Sequence, residues 1–270
     1  MSGPLVSVVI PTFRREADAV RAVTSALQQP DVDLEVIVLD DSAENSAEPH
    51  VSGLGDARVR YERCVVPSGG IPARVRNRGL ALARGTFIHF LDDDDELEAN
   101  SLATLASALS KSPDSGVAVG VIHPVGNDET ALQREREYFE AAARRMRRIS
   151  SRADMCASLL FSVTPFVNSA CMVRRSVACA VGGYAEDVPR CEDVEFYLRA
   201  IRHSNHRFID QRVVRYQTGR PSLMHSLEDN ALVVASYEVM HSRYREQHGR
   251  LEYLSLRVLA RWRRATSQAN

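Results

Sequence analysis

The sequence predicts an α/β fold: a mostly parallel sheet with helices on both faces, followed by C-terminal helices. Three observations predict it. Short continuous apolar runs rich in β-branched residues recur at 5–10, 34–39 and 87–91, and strands that apolar belong inside a sheet covered on both faces. Stretches with helical spacing separate them, as parallel crossovers require. Two of the runs end abruptly in acids, Asp40-Asp41 and Asp92-Asp93-Asp94-Asp95, and the carboxyl ends of parallel strands are where ligand crevices open.

Taken in order, the run from Leu5 to Ile10 is a first buried strand stopped by Pro11, with Thr12 to Arg15 on the loop beyond it. Ala19, Val20, Val23, Ala26 and Leu27 give a first helix over 18–28, and Leu34 to Leu39 a second buried strand. Residues 57–64 make a third, edge strand before a Pro-Ser-Gly-Gly turn at 67–70. A helix starting at Pro72 sets Arg76 and Asn77 near its beginning and closes at Gly85. The strand from Phe87 to Leu91 follows, then a helix beginning near Glu98 with Leu102, Leu105 and Leu109 inward, then a strand over 116–122.

The stretch 128–152 is polar and arginine-rich, which reads as a solvated helix, a mobile segment or a lid over an anionic ligand. A strand over 168–173 and a short helix over 174–181 lead to Gly182-Gly183. Cys191-Glu192-Asp193 opens a helix with Val194, Tyr197, Leu198 and Ile201 on one stripe, and short strands follow at 206–209 and 213–216. From Leu223 onward two helices are expected, at 227–246 and 251–265. The second mixes Leu251, Leu254, Val258, Leu259 and Trp262 with Arg257, Arg261, Arg263 and Arg264, so it either packs on the main domain or lies on an anionic membrane. The chain thus divides into a main domain at 1–220, with halves at 1–125 and 126–220, and a helical extension at 221–270.

A chain of 270 residues can bury a proper core. Its net charge of −1 argues against a general nucleic-acid binder. Five cysteines, Cys64, Cys156, Cys171, Cys179 and Cys191, show no metal-ligand spacing and read as reduced thiols of a cytoplasmic protein. The Met-Ser-Gly-Pro start lacks a secretory leader pattern, and no stretch is apolar for the roughly 18 residues of a membrane span, so membrane contact is expected to be peripheral, at the inner face.

Acidic runs in soluble proteins are usually solvated, and Asp94 or Asp95 could simply cap the helix that follows. Two acid-ended strands at one sheet edge are harder to dismiss. On an extended strand Asp92 and Asp94 would project together with Asp93 pointing away, and such a like-charged pair is best accommodated around a divalent cation. The first strand is followed by PTFRRE rather than G-x-G-x-x-G, and Lys111, the sole lysine, lies in no phosphate-binding loop, which excludes the common dinucleotide and P-loop classes.

VSVVIPTFRR, VIVLDDSA, PARVRNRGLALARGTFIHFLDDDDEL and VRRSVACAVGGYAEDVPRCEDVEFYLRA, in that order, resemble the signatures of glycosyltransferase family 2, over about residues 5–220. The resemblance implies a GT-A fold, a nucleotide-sugar-binding first half and an acceptor-binding second half. It implies inverting transfer from a nucleoside diphosphate sugar, commonly UDP-linked, to a glycan, lipid-linked or small-molecule acceptor, with Mn²⁺ or Mg²⁺ as cofactor. By the same match Asp94 is the metal ligand with Asp92 beside it, Asp92 and Asp93 face the ribose and sugar, and Asp40 and Asp41 face the base or ribose. Pro11, Thr12, Phe13 and Arg15 line the nucleotide pocket with the Arg76-Asn77 pair. Asp193 is the general base and Glu192 positions the acceptor or the helix start, an acid pair that would also favour the helix dipole. A sugar-phosphate nucleotidyltransferase and a non-catalytic nucleotide- or carbohydrate-binding module are the alternatives.

Overall fold

The first apolar run lies in the heart of a single sheet. The computed structural model describes residues 6–162, 166–219 and 227–268, so Leu5, Leu223 and the expected boundary at 220–221 fall outside the described residues. Its first half runs β1 (Val6–Thr12), α1 (Glu16–Leu27), β2 (Leu34–Asp40), α2 (Glu48–Ser52), β3 (Val59–Arg63), α3 (Pro72–Leu82), β4 (Phe87–Phe90), β5 (Glu96–Leu97) and α4 (Ser101–Ser110). The second half runs β6 (Val117–Val125), α5 (Glu129–Met146), α6 (Arg152–Phe161), β7 (Cys171–Arg174), α7 (Arg175–Ala180), α8 (Glu192–His203) and β8 (His206–Gln217), before α9 (Leu227–His248) and α10 (Arg250–Gln268).

The strand order is β3-β2-β1-β4-β7-β6-β8-β5. β3, β2, β1 and β4 are mutually parallel, while β7 is antiparallel to both β4 and β6, and β5 is antiparallel to β8. The two halves interleave, because β5 from the first pairs with β8 from the second. Every residue of β2 and β4 is buried, as runs of Val, Ile, Leu and Phe covered on both faces demand. Side chains alternate between two apolar clusters, so Val9, Ile37 and Phe90 enter one while Val8, Val36 and Leu91 enter the other. Gly79 lets α3 settle on β1 and β2, since a Cβ there would lie 2.3 Å from Val9 and 2.8 Å from Leu39.

Several boundaries differ from the sequence reading, each for a local reason. Pro11 does not stop β1, which continues in register with β2 to Thr12. Val9 faces β4, whose Leu91 N–H bonds to the Val9 carbonyl, and Pro11 faces the same way but past the last paired residue, where no ladder donor is needed. α3 ends at Leu82 with Ala83 extended, so Gly85 is no helix cap; its N–H bonds to Ser7 Oγ at 2.8 Å as the chain enters β4. Within the stretch 128–152, Glu129–Met146 is a packed helix capped by Asp128 and burying Leu132, Phe139, Ala142, Ala143 and Met146, and a further helix, α6, begins at Arg152. Residues 168–170 form a 3₁₀ turn, so the strand there is only Cys171–Arg174. The polar residues at 210–211 do not divide two strands: β8 is one strand whose pairing with β6 shifts register there. All five cysteines are free.

The C-terminal helices add a layer to the same core. Met240 and Tyr244 from α9 and Tyr253, Leu256 and Ala260 from α10 share one cluster with α6 and α8. Arg263 forks onto Asp154 at 3.0 and 2.6 Å, and Arg202 onto Glu252 at 3.1 and 2.9 Å, tying α10 to α6 and to the end of α8.

His89 sits fully buried in β4 with neither ring nitrogen well partnered, and burial pushes its pKa down to about 4 against a slight upward pull from the Cys171 backbone. A depressed histidine binds its proton more readily unfolded, so its stabilising contribution is complete above about pH 6.5 and is lost as pH falls toward 4. Urea unfolding of His89→Leu and the parent at pH 7.5, 5.5 and 4.5 should show the parent losing up to about 3 kcal/mol relative to the variant across that window. Parallel pH profiles would contradict this.

Candidate active site

β4 stops at Phe90 and Leu91 closes the ladder, so the four acids lie on a tight turn, with the Asp95 N–H bonded to the Asp92 carbonyl at 3.1 Å. The strand alternation expected for them therefore fails. Asp93 and Asp94 face the same cation: Arg15 Nη1 lies 3.3 Å from Asp93 and 2.7 Å from Asp94. Thr12, at the end of β1, donates to Asp93 at 2.8 Å. Asp95 is buried, with one oxygen accepting from the Gln217 N–H and the other without a partner. Burial, then Asp94, pushes the Asp93 pKa up to about 7 against the pull of Thr12 and Arg15. Burial and Asp92 raise Asp94, and burial with Asp94 and Asp92 raises Asp95 well above the carboxylate range. The turn crowds four carboxyl groups that Arg15 only partly offsets, so several of them hold their protons more tightly than usual.

Asp92 faces the other way, toward α3. Arg76, only 6% exposed, donates to Asp92 at 2.7 Å and to Glu192 at 2.6 Å. Burial opposes its charge, yet Asp92 and then Glu192 outweigh that and hold its pKa above the ordinary value. Tyr184 lies under it with the guanidinium carbon 5.7 Å from the ring centre. Asn168, oriented so that its oxygen faces Arg76 at 3.2 and 3.3 Å, donates to the Tyr184 hydroxyl at 2.6 Å. Ser169 Oγ accepts the Asp92 N–H at 3.1 Å. One buried cation thus joins the acid turn to the start of α8.

At that helix start Cys191 adopts φ 53°, and the acids follow immediately. Glu192 is committed to Arg76, so it fixes the helix start, whereas Asp193 bonds only to the next backbone N–H, Val194, at 2.7 Å among the described contacts. Burial and then Glu192 push Asp193 up to about 7, with Arg76 pulling the other way. The nearby acids are already neutralised: Glu195 is gripped by Arg199 at 2.7 Å and Arg243 at 2.9 Å, and Asp187 by Arg243 at 2.7 Å.

The remaining candidates divide. Asp40 is fully buried and accepts from Ser42 N, Ala47 N and Tyr61 Oη at 2.8, 3.0 and 2.8 Å, which spends its lone pairs on the loop after β2. Asp41 accepts from the Ser68 N–H and hydroxyl at 2.7 and 2.5 Å, pinning the Pro-Ser-Gly-Gly turn. Phe13, next to Thr12 at the end of β1, is 53% exposed, with the Arg14 guanidinium 5.2 Å from its ring centre. Asn77 is not brought to the acids: its amide takes the Tyr184 N–H at 2.7 Å and donates to the Tyr184 carbonyl at 2.9 Å. That contact explains Gly183, at φ 71°, where a Cβ would come within 2.5 Å of Asn77 Oδ1. Asn168, Ser169, Ser68 and Tyr184 escaped the sequence reading, since each acts through its place in the fold; only Ser68, in its turn motif, carried a local signal.

Among the described residues no three His, Cys, Asp or Glu side chains form a ready metal cage. The donor set nevertheless fits Mn²⁺ or Mg²⁺, being hard carboxylate oxygens with raised proton affinity and one orphaned buried oxygen on Asp95. Such ions commonly take one or two carboxylates and complete their shell with substrate phosphates.

Residues 7–180 match the family described as Glycosyl transferase family 2. The chain belongs to that family, which sets the nucleotidyltransferase alternative aside. It is 36% identical over 126 residues to the GalNAc(5)-diNAcBac-PP-undecaprenol beta-1,3-glucosyltransferase of Campylobacter jejuni, covering 46% of this chain and 38% of that one. It is 32% identical over 111 residues to the UDP-Glc:alpha-D-GlcNAc-diphosphoundecaprenol beta-1,3-glucosyltransferase WfgD of Escherichia coli, covering 41% and 43%. These matches span less than half the length of either relative. The fold matches S. aureus TarS 1–349 in complex with UDP-GlcNAc with a TM-score of 0.63 at 17% identity, over 89% of this chain and 66% of that one. The architecture is that of GT-A glycosyltransferases.

Removing Arg76 leaves Asp92 and Glu192 facing each other without a cation. Arg76→Met should cost about 3 kcal/mol or more in urea unfolding, because breaking a buried pair strands the remaining charge. The double variant Arg76→Met with Glu192→Gln should recover part of that loss; equal stability of parent and single variant would refute the bridging role.

Proposed function

We propose that the chain is a metal-dependent inverting glycosyltransferase that moves a sugar from a nucleoside diphosphate donor, UDP-linked, to an acceptor hydroxyl, with Asp193 as general base. The observation that carries this reading is Asp193 itself: a carboxylate with proton affinity raised to about 7, at the rigid start of α8, joined through Glu192 and Arg76 to the acid turn. A base works best with a pKa near the operating pH.

In this reading Phe13 and the loop held by Asp41 and Ser68 accept the nucleotide. Asp40 shapes that loop from beneath. Asp94 would hold Mn²⁺ or Mg²⁺, together with the Asp92 oxygen that Arg76 does not bond, and the chemistry of such an ion is to neutralise charge on the diphosphate leaving group. Arg15 restrains Asp93 and Asp94 so that the carboxylates stay at the mouth of the crevice. Asp193 takes the proton of the acceptor hydroxyl at its free carboxylate oxygen as that hydroxyl attacks the anomeric carbon from the face opposite the leaving group. Glu192, neutralised by Arg76, holds the helix start still. The two relatives named for diphosphoundecaprenol-linked acceptors support a lipid-linked acceptor, reached from the cytoplasmic face.

Asp193→Asn should leave UDP-sugar affinity in the presence of Mn²⁺ almost unchanged by calorimetry and lower turnover about 10²- to 10⁴-fold, the usual share of a positioned base. In the parent, kcat should fall as pH drops below about 7, where Asp193 binds its proton, and that acid limb should vanish from the residual activity of the variant. Near-normal transfer by Asp193→Asn would place the base elsewhere, and donor binding without any transfer by the parent would make the chain a binding module.

Asp94→Asn tests the metal assignment separately. It preserves shape and removes a ligand charge, so Mn²⁺-dependent UDP binding should weaken while any metal-independent binding persists. Identical Mn²⁺ dependence in parent and variant would exclude Asp94 as a ligand.

A further inference from the structure

α10 has two faces. Tyr253, Leu256 and Ala260 are buried against α6 and α9, whereas Leu251, Leu254, Val258 and Trp262 are 86, 50, 66 and 57% exposed. At 100° per residue these four fall within one sector of the helix, and Arg250, Arg257, Arg261 and Arg264, all exposed, line one edge of it. At its N-terminal end the sector meets an open groove between α9 and α10, where Arg245, Arg250 and Arg257 surround Tyr253 and Leu254 with Glu246 the acid among them. The sequence left open whether this helix packs on the domain or meets a membrane; the structure gives each role its own face.

We propose that this outer face of α10 is a docking surface for an anionic lipid bilayer, the apolar sector entering the headgroup boundary and the arginines meeting lipid phosphates. The charge pattern selects that occupant. From Arg250 to Arg264 the sole acid is Glu252, already gripped by Arg202, so a second copy of the chain pairing through this face would bring arginine rows together without compensating acids. A bilayer supplies both the apolar depth and the negative charge that such a helix needs. No helix among the described residues is long and apolar enough to cross a membrane, so the contact is lateral.

The helix that carries this surface is tied to α8, whose first turn carries the candidate base. Arg202, nine residues after Asp193 on α8 and therefore about 14 Å along its axis, holds the first turn of α10 through Glu252. The docking surface itself rests on none of the transferase reading, and its test involves no turnover.

Trp262 is the sole tryptophan and lies in the apolar sector, so its emission reports directly on insertion. The full chain is titrated with phosphatidylcholine vesicles with and without 30% phosphatidylglycerol, at low and high salt. With anionic vesicles at low salt the emission should shift to the blue and be quenched by brominated acyl chains, with vesicle affinity at least tenfold above that for neutral vesicles and falling with salt. Arg257→Glu with Arg261→Glu should abolish the shift, and Leu254→Ser with Val258→Ser should reduce co-sedimentation at least tenfold while leaving the thermal midpoint near the parent's, since all four side chains are exposed. Equal affinity for neutral and anionic vesicles, an unshifted emission, or a dimer in light scattering that these variants dissolve would overturn the proposal.

Discussion

The buried guanidinium of Arg76 is the interaction on which the candidate site depends. It lies between Asp92, on the turn after β4, and Glu192, the first residue of α8, and so joins elements separated by about a hundred residues of chain. Neither carboxylate would tolerate its position without that charge, and the charge would not tolerate burial without both. Tyr184 and Asn168 complete the enclosure, and Asn77, the next residue of α3, clamps the backbone of Tyr184. Arg76 and Asn77 are neighbours in sequence, yet one secures the acids and the other the glycine loop. Together they fix the distance between the two ends of the crevice.

Around this fixed bridge the remaining acids are arranged in tension. Asp93, Asp94 and Asp95 are crowded and largely buried, and each has a raised proton affinity because burial and its neighbours disfavour charge. Arg15 and Thr12 offset only part of that. In the proposed mechanism a cation bound here would displace protons from these carboxyls. Asp193 is raised by similar causes, burial and then Glu192, but it stands on α8 with Arg76 pulling the other way. The contrast between a crowded acid turn and an acid at a helix start whose neighbour Glu192 is bound to Arg76 is what separates metal-binding from proton-accepting roles in the proposed mechanism.

The sheet explains why these groups meet. β1, β2 and β4 run parallel, so Thr12, Asp40-Asp41 and the acid turn emerge at one edge. β7 and the 3₁₀ turn before it lie beside β4 and deliver Asn168 and Ser169 to the same place. The C-terminal helices brace α8 from behind through the Arg202–Glu252 pair and the shared cluster of Met240, Tyr244 and Leu256, which leaves the outer face of α10 to solvent.

The apolar runs determined the strands by themselves, because strands such as VIVL and FIHFL are stable only between two covered faces. The acids at their ends, the glycine pair and the CED start of α8 were legible for the same reason: local patterns mark local structure. What a single stretch could not decide was partnership. That Asp92 turns toward Arg76 while Asp93 and Asp94 turn toward Arg15, that Asp40 is claimed by Tyr61 of the next strand, and that Glu192 is bound to Arg76 all follow from contacts between residues distant in sequence. The antiparallel insertion of β7 and the packed face of the arginine-rich α5 belong to the same category, since pairing and burial are chosen by the assembled core and not by propensity along the chain.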